Sequence, residues 1–119
     1  LAGATSPPTH AKVAKTALGT GRYLTWTICE EADEALAAIA SAGYGLVGVE
    51  LADGALPIHD AAFPDRTCLA LGHEDRGLSS TVLDACDTVA FIPQLGKVGS
   101  LNVSTAAGIA LYELNRRRW

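Results

Sequence analysis

Two glycine-punctuated stretches hold the residues whose types and spacing could do chemistry. In GHEDRGLSS, residues 72–80, Gly72 and Gly77 bracket His73, Glu74, Asp75 and Arg76 directly after the apolar run TCLAL. Glycines at such a place let backbone N–H and C=O groups approach a ligand closely, and the charged residues between them can hold polar substrate groups. In IPQLGKVGSLNVST, residues 92–105, an Ile-Pro and two glycines lead to Ser100, Asn102, Ser104 and Thr105, just where an Ala/Leu-rich run begins. Four polar side chains in the first turns of a buried helix cost stability unless they face a ligand or a partner. Each stretch also has a plain structural reading. The first makes a tight turn, and the second makes a helix N-terminus with Ser100 as the capping oxygen.

The elements that must position these loops follow from hydrophobic periodicity. Val13, Ala14, Ala17 and Leu18 recur at helical spacing until Gly19 and Gly21 stop the pattern. Residues 23–28, β-branched and aromatic, predict a strand. EEADEALAAIASAG then reads as a helix with acids in its first turn and Gly43 as its stop. The runs LVGVEL, TCLAL and TVAFI are short and continuous rather than alternating, as strands covered on both faces require. From Leu101 onward, Ala106, Ala107, Ala110, Leu111 and Leu114 form an apolar stripe on a helix ending in Arg116, Arg117 and Arg118. Strand and helix therefore alternate, predicting an α/β fold with a mostly parallel sheet flanked by helices. Ligands in such sheets sit beyond the carboxyl ends of the strands, so ADGALP, GHEDRGLSS and PQLGKVGS are the loops that matter.

The bulk properties narrow the class. A chain of 119 residues fits one domain, residues 1–119, and 49% hydrophobic against 18% charged residues excludes a disordered or fibrous protein. No apolar run reaches the ~18–20 residues that span a bilayer, so no membrane partner is expected. The net charge of −4 advertises no nucleic-acid surface, and the one basic run is at residues 116–118. Cys29, Cys68 and Cys86 are odd in number and widely spaced, which predicts reduced thiols and a cytoplasmic protein. Gly43, Gly45 and Gly48 spell GxGxxG but run from helix into strand, the reverse of a dinucleotide fingerprint. Gly96-Lys97 lacks the rest of a P-loop, His73-Glu74 is not HExxH, and no G-x-S-x-G is present. No metal site is expected.

The ordered series LALGHEDRGLSS and VAFIPQLGKVGSLNVSTAAGIALYE, with KTALGTGRYLTW upstream, resembles the second and third motifs of the SpoU/TrmH class of SPOUT RNA methyltransferases. The resemblance runs over nearly the whole chain. It implies a SPOUT-like domain with a C-terminal trefoil knot, a rare exception to unknotted topology. It also implies S-adenosylmethionine held by backbone groups at Gly72, Ile92 and Leu101, with Leu71 and Gly77 among the cofactor-binding positions. Glu74, Ser100 and Asn102 match the polar residues that organise catalysis, and the reaction implied is methyl transfer to a ribose 2′-hydroxyl of tRNA or rRNA. Family members pair as homodimers through the knot and the terminal helix. The family's first motif, with an Asn and a catalytic Arg, has no counterpart here, so an N-terminally truncated domain of impaired activity is expected. The alternative is a non-catalytic SAM- or RNA-binding module, and a generic nucleotide-binding α/β protein ranks below both.

Overall fold

The computed structural model describes residues 1–3, 5–96 and 100–119. The chain separates into two compact units, Leu1–Ala38 and Ile39–Trp119.

The first unit holds helix α1 (Ala11–Thr16) and a 3₁₀ turn over Thr20–Tyr23, joined through Gly19, whose φ of 80° lies in the left-handed region that glycine tolerates. The strand predicted over residues 23–28 does not form. A strand needs a neighbour to complete its ladder, and among the described residues this run meets a single parallel bridge at its end, Ala2 beside Cys29. There Cys29 N–H donates to Leu1 O at 2.8 Å and Gly3 N–H donates to Cys29 O at 3.1 Å. Tyr23, Leu24 and Ile28 are left exposed.

Helix α2 (Ala32–Ser41) starts with Asp33 and Glu34 in its first turn, where the helix dipole favours acids. Glu34 reaches back to accept from Glu30 N–H at 3.1 Å. The helix stops as the sequence predicts. Gly43 takes φ 71°, its N–H donates to Ala40 O, and Tyr44 N–H donates to Ile39 O, closing a Schellman motif.

The second unit is a four-stranded, wholly parallel sheet of β1 (Gly45–Val49), β2 (Leu56–Pro57), β3 (Thr67–Leu71) and β4 (Thr88–Phe91), in the order β2-β4-β1-β3. The three apolar runs thus become β1, β3 and β4, as their continuous hydrophobicity requires. The central strands are the buried ones: Val47 and Ala90 are fully enclosed, and Ile58, Ala61 and Ala110 join them in the core. Burial of the Val47 or Ile58 side chain contributes about 1.5–3 kcal/mol, and of each alanine methyl less. Asp87 sets the register at the amino end of the sheet, its N–H donating to Leu46 O while its carboxylate accepts from Leu46 N–H at 2.8 Å. The glycines of the apparent GxGxxG serve packing. A Cβ at Gly48 would lie 2.9 Å from Cys86 Sγ, and one at Gly45 would lie 2.5 Å from Pro64 Cγ. Pro57 sits on an edge strand, where its missing N–H costs no ladder bond.

Helices α3 (Ser80–Ala85) and α4 (Val103–Arg116) complete the unit. The buried face of α4 runs through Val103, Ala106, Ala107, Ala110, Glu113 and Leu114, whereas Leu111, expected in the stripe, is 51% exposed. Glu113 takes an inward position because the arginine run pairs with it. Arg116 donates two hydrogen bonds to its carboxylate, at 3.0 and 2.7 Å, and Arg117 a third at 2.9 Å. These hydrogen bonds, the Arg116 pair foremost, hold the Glu113 carboxyl down to about 2. A carboxyl depressed in the folded state stabilises fully above its unfolded value near 4.3 and loses that contribution as pH falls through about 2. The wild-type protein is therefore expected to melt above the Glu113→Gln variant at pH 7, with the gap closing between pH 5 and pH 2. Thermal melts across that range check it, and a gap independent of pH would contradict it.

Candidate functional site

The carboxyl ends of β1, β3 and β4 open into a cavity of about 480 Å³, within the range of small-molecule sites. Its walls come from Val49–Leu51 beyond β1, residues 71–77 beyond β3, Phe91, Ile92, Gln94 and Gly96 beyond β4, and Ser100, Leu101, Val103 and Ala106 at the start of α4. This is the location that a parallel α/β sheet assigns to a ligand.

The loop after β3 is built by its glycines. His73 N–H donates to Gly77 O at 3.1 Å and Gly77 N–H donates to His73 O at 2.7 Å, pinching residues 73–77 into a tight antiparallel bridge. Asp75 N–H donates to His73 Nδ1 at 3.1 Å, fixing the tip. Gly77 turns the chain with φ 66°. Gly72 is required for a different reason: a Cβ there would lie 2.1 Å from Gly77 C and 2.4 Å from Leu78 N, so backbone passes over backbone with no room for a side chain. The result is a backbone cradle facing the cavity, with Glu74, Asp75 and Arg76 exposed at its tip.

Of the residues singled out from sequence, Leu71, Gly72, Glu74, Gly77, Ile92, Ser100 and Leu101 all line this one cavity. Residues 97–99, the middle of the loop read as cradling a cofactor, lie outside the described residues. Asn102 is placed differently. Its Oδ1 accepts from Ser104 N–H at 3.0 Å, Thr105 N–H at 3.4 Å and the Ser104 hydroxyl at 2.5 Å, so it is the N-cap of α4 and not a lining residue. The cap is thus Asn102 rather than Ser100, and Ser104 spends its polarity on the helix start. ADGALP also departs from expectation: Ala55 N–H donates to Ala52 O, Gly54 turns at φ 76°, and the loop leads straight into β2, away from the cavity.

Glu50 is the lining residue that sequence reasoning missed. It follows β1, and its carboxylate accepts from Leu51 N–H at 3.1 Å and from Leu78 N–H at 3.0 Å. It thereby ties the end of β1 to the end of the glycine loop. A Cβ at Gly77 would lie 2.4 Å from Glu50 Oε2, so a side chain there would displace the carboxylate, and the φ of 66° favours glycine at this position in any case. The available signal was a lone acid at the carboxyl end of an apolar strand. Cys68 and Cys86 remain free thiols whose ionisation burial pushes up, which fits packing and not nucleophilic chemistry.

The sheet, the cavity at its carboxyl edge and the backbone cradle define an α/β domain built to hold a small molecule between two glycine-containing loops and a helix start. Comparison with known proteins gives the class its family. A model of the SpoU rRNA Methylase family matches residues 1–112, and the chain belongs to that family. The 23S rRNA (guanosine-2′-O-)-methyltransferase RlmB of Acinetobacter baylyi is 44% identical over 73 residues, 61% of this chain and 29% of the relative. The tRNA (guanosine(18)-2′-O)-methyltransferase of Escherichia coli is 29% identical over 89% of this chain and 46% of its own. The chain thus spans less than half the length of either relative. Among solved structures, the SpoU methyltransferase AviRb of Streptomyces viridochromogenes, in complex with the cofactor AdoMet, superposes with a TM-score of 0.86 at 30% identity, covering 99% of this chain and 48% of that one.

Proposed function

We propose that this protein is an S-adenosylmethionine-dependent RNA methyltransferase that transfers a methyl group to a ribose 2′-hydroxyl of tRNA or rRNA. The observation that carries the reading is the convergence of Leu71, Gly72, Gly77, Ile92 and Leu101 on one cavity at the sheet's carboxyl edge, in a chain that superposes on an AdoMet-bound SpoU methyltransferase. The cradle that a Cβ at Gly72 would fill fits a cofactor recognised through backbone groups.

S-adenosylmethionine supplies an activated methyl group. The chain's part is to bind it and to bring a ribose hydroxyl into line, since a sugar hydroxyl is a poor nucleophile that needs positioning and a route for its proton. Gly72, Ile92 and Leu101 offer main-chain N–H and C=O groups, and Leu71 and Ile92 offer apolar surface. Glu74 and Ser100, both exposed and both lining the cavity, hold the ribose hydroxyl by hydrogen bonds. Asn102 is a positioning residue that fixes the start of α4, and so the direction of Ser100 and Leu101. In the same reading both units form one methyltransferase domain, and residues 92–101 belong to a trefoil knot. Two copies pair through the α4 face that exposes Ile109, Leu111 and Tyr112, and the free thiols suit the cytoplasm.

Titration calorimetry is expected to show S-adenosylmethionine binding that S-adenosylhomocysteine competes away, and labelled methyl is expected in the ribose of tRNA or rRNA. Glu74→Ala is expected to lower transfer by ~10²-fold or more while leaving cofactor binding in place. Absence of cofactor binding overturns the reading. Binding without transfer to any RNA replaces the enzyme by the non-catalytic SAM-binding module.

A further inference from the structure

His73 lines the same cavity as Glu74, is exposed like it, and has no part in the mechanism above. A histidine beside a reacting hydroxyl is the usual first candidate for a general base, since imidazole is the side chain that most often takes such a proton. The hydrogen bonding of this ring excludes that role. Asp75 N–H donates to His73 Nδ1 at 3.1 Å. A peptide N–H can only donate, so Nδ1 keeps its lone pair and the neutral ring carries its hydrogen on Nε2. One ring nitrogen therefore accepts from its own loop and the other is a donor. The ring has no acceptor left for the proton of a ribose hydroxyl unless the bond to Asp75 breaks.

That bond spans the His73 side chain, the backbone of Glu74 and the Asp75 nitrogen. It closes a small ring around Glu74, as an Asn or Asp side chain does in an Asx turn. Outside it, the paired hydrogen bonds between His73 and Gly77, at 3.1 and 2.7 Å, close the wider loop. The two closures have different consequences. The outer pair holds Gly72 and Gly77 in the cradle given to the cofactor, and the inner ring fixes the direction in which Glu74 leaves the loop tip.

We propose that His73 is a positioning residue that, through Nδ1 and Asp75 N–H, aims Glu74 at the ribose hydroxyl, and that it is not the base. The proposal rests on the RNA methyltransferase reading and on the place of Glu74 within it.

The test is methyl transfer from labelled S-adenosylmethionine to bulk tRNA and rRNA by the full chain, with cofactor calorimetry and circular dichroism on every variant. His73→Ala is expected to lower the transfer rate at saturating cofactor by ~10²-fold, the scale of a small misplacement of a reacting group, while cofactor affinity stays within about threefold. His73→Asn puts a carbonyl oxygen where Nδ1 stands and cannot take a proton, and it is expected to restore the rate to within about threefold of wild type. His73→Gln, whose oxygen lies one carbon further out, is expected to recover little. In a Glu74→Ala background His73→Ala is expected to cost no more than about twofold further, because the group it positions is already gone. Long-range proton–nitrogen NMR at about pH 8 reads the ring directly, with the hydrogen expected on Nε2. A His73→Asn protein that folds and binds cofactor yet transfers no methyl overturns the proposal and makes His73 the base. Fully additive losses in the double variant, or a hydrogen on Nδ1, overturn it equally. A wild-type chain that binds no S-adenosylmethionine fails the methyltransferase reading itself and takes the role of His73 in transfer with it, an outcome no variant comparison can produce.

Discussion

Gly72→Ala is expected to reduce S-adenosylmethionine affinity at least a hundredfold, about 2.7 kcal/mol of binding free energy. The new methyl group would lie 2.1 Å from Gly77 C and 2.5 Å from Gly77 O. Neither is the tip of a flexible side chain. They belong to backbone locked by the paired hydrogen bonds between His73 and Gly77, so the loop has to open to admit one carbon. Opening it removes the wall that residues 71–77 give the cavity. Calorimetry with S-adenosylmethionine reads the loss, and wild-type affinity in the alanine variant would refute the role given to the cradle. Glu50→Gln provides the comparison. A side-chain amide oxygen can keep one hydrogen bond from Leu78 N–H without altering the glycine, so the affinity loss is expected to be far smaller, near tenfold or less.

Arg117→Ala is expected to lower stability by about 2–4 kcal/mol, among the largest effects of any single side chain outside the core. Its guanidinium donates to Ala61 O, Ile58 O at 2.9 Å and His59 O at 2.7 Å, and its Nε donates to Glu113 Oε1. It also lies 4.8 Å from the centre of the Phe63 ring. One side chain therefore satisfies three carbonyls of the segment after β2 and ties that segment to the last turn of α4. Truncation strands those acceptors beside the buried Ile58 and Ala61. Urea unfolding measures the change. Arg117→Lys is expected to recover only part of it, because a single ammonium cannot reproduce a planar fork. A variant as stable as the wild type would show that solvent serves these carbonyls equally well. Arg118 donates to Asp65 O, so all three arginines of the basic run are engaged within the fold.

These arginines show where reading along the chain stopped. A run of three cations at a helix end predicts a favourable dipole interaction or an RNA contact, and nothing local says that one of them reaches carbonyls 56–59 residues away. Asn102 is similar: its type and place fit both a cap and a catalytic group, and only the hydrogen bonds of Oδ1 decide. Residues 23–28 have strand composition without strand structure, because composition cannot supply a neighbour. The whole-chain charge of −4 likewise averages residues 1–29, which hold three basic residues and no acid, with an acidic remainder.

By itself the sequence determined β1, β3 and β4, the stop of α2, and the two glycine loops after β3 and β4 that carry most of the cavity, whereas α1 ends at Thr16, before the Ala17 and Leu18 that its periodicity includes. Those features depend on local physics: apolar runs that must be buried, glycines that alone tolerate left-handed turns, and the rule that parallel sheets offer their carboxyl edge. The tertiary structure alone decided the strand order, the meeting of the Glu50 carboxylate with Leu78 N–H and the three-carbonyl grip of Arg117. Each of these depends on groups far apart in the chain and close in space, and no local pattern encodes such a meeting.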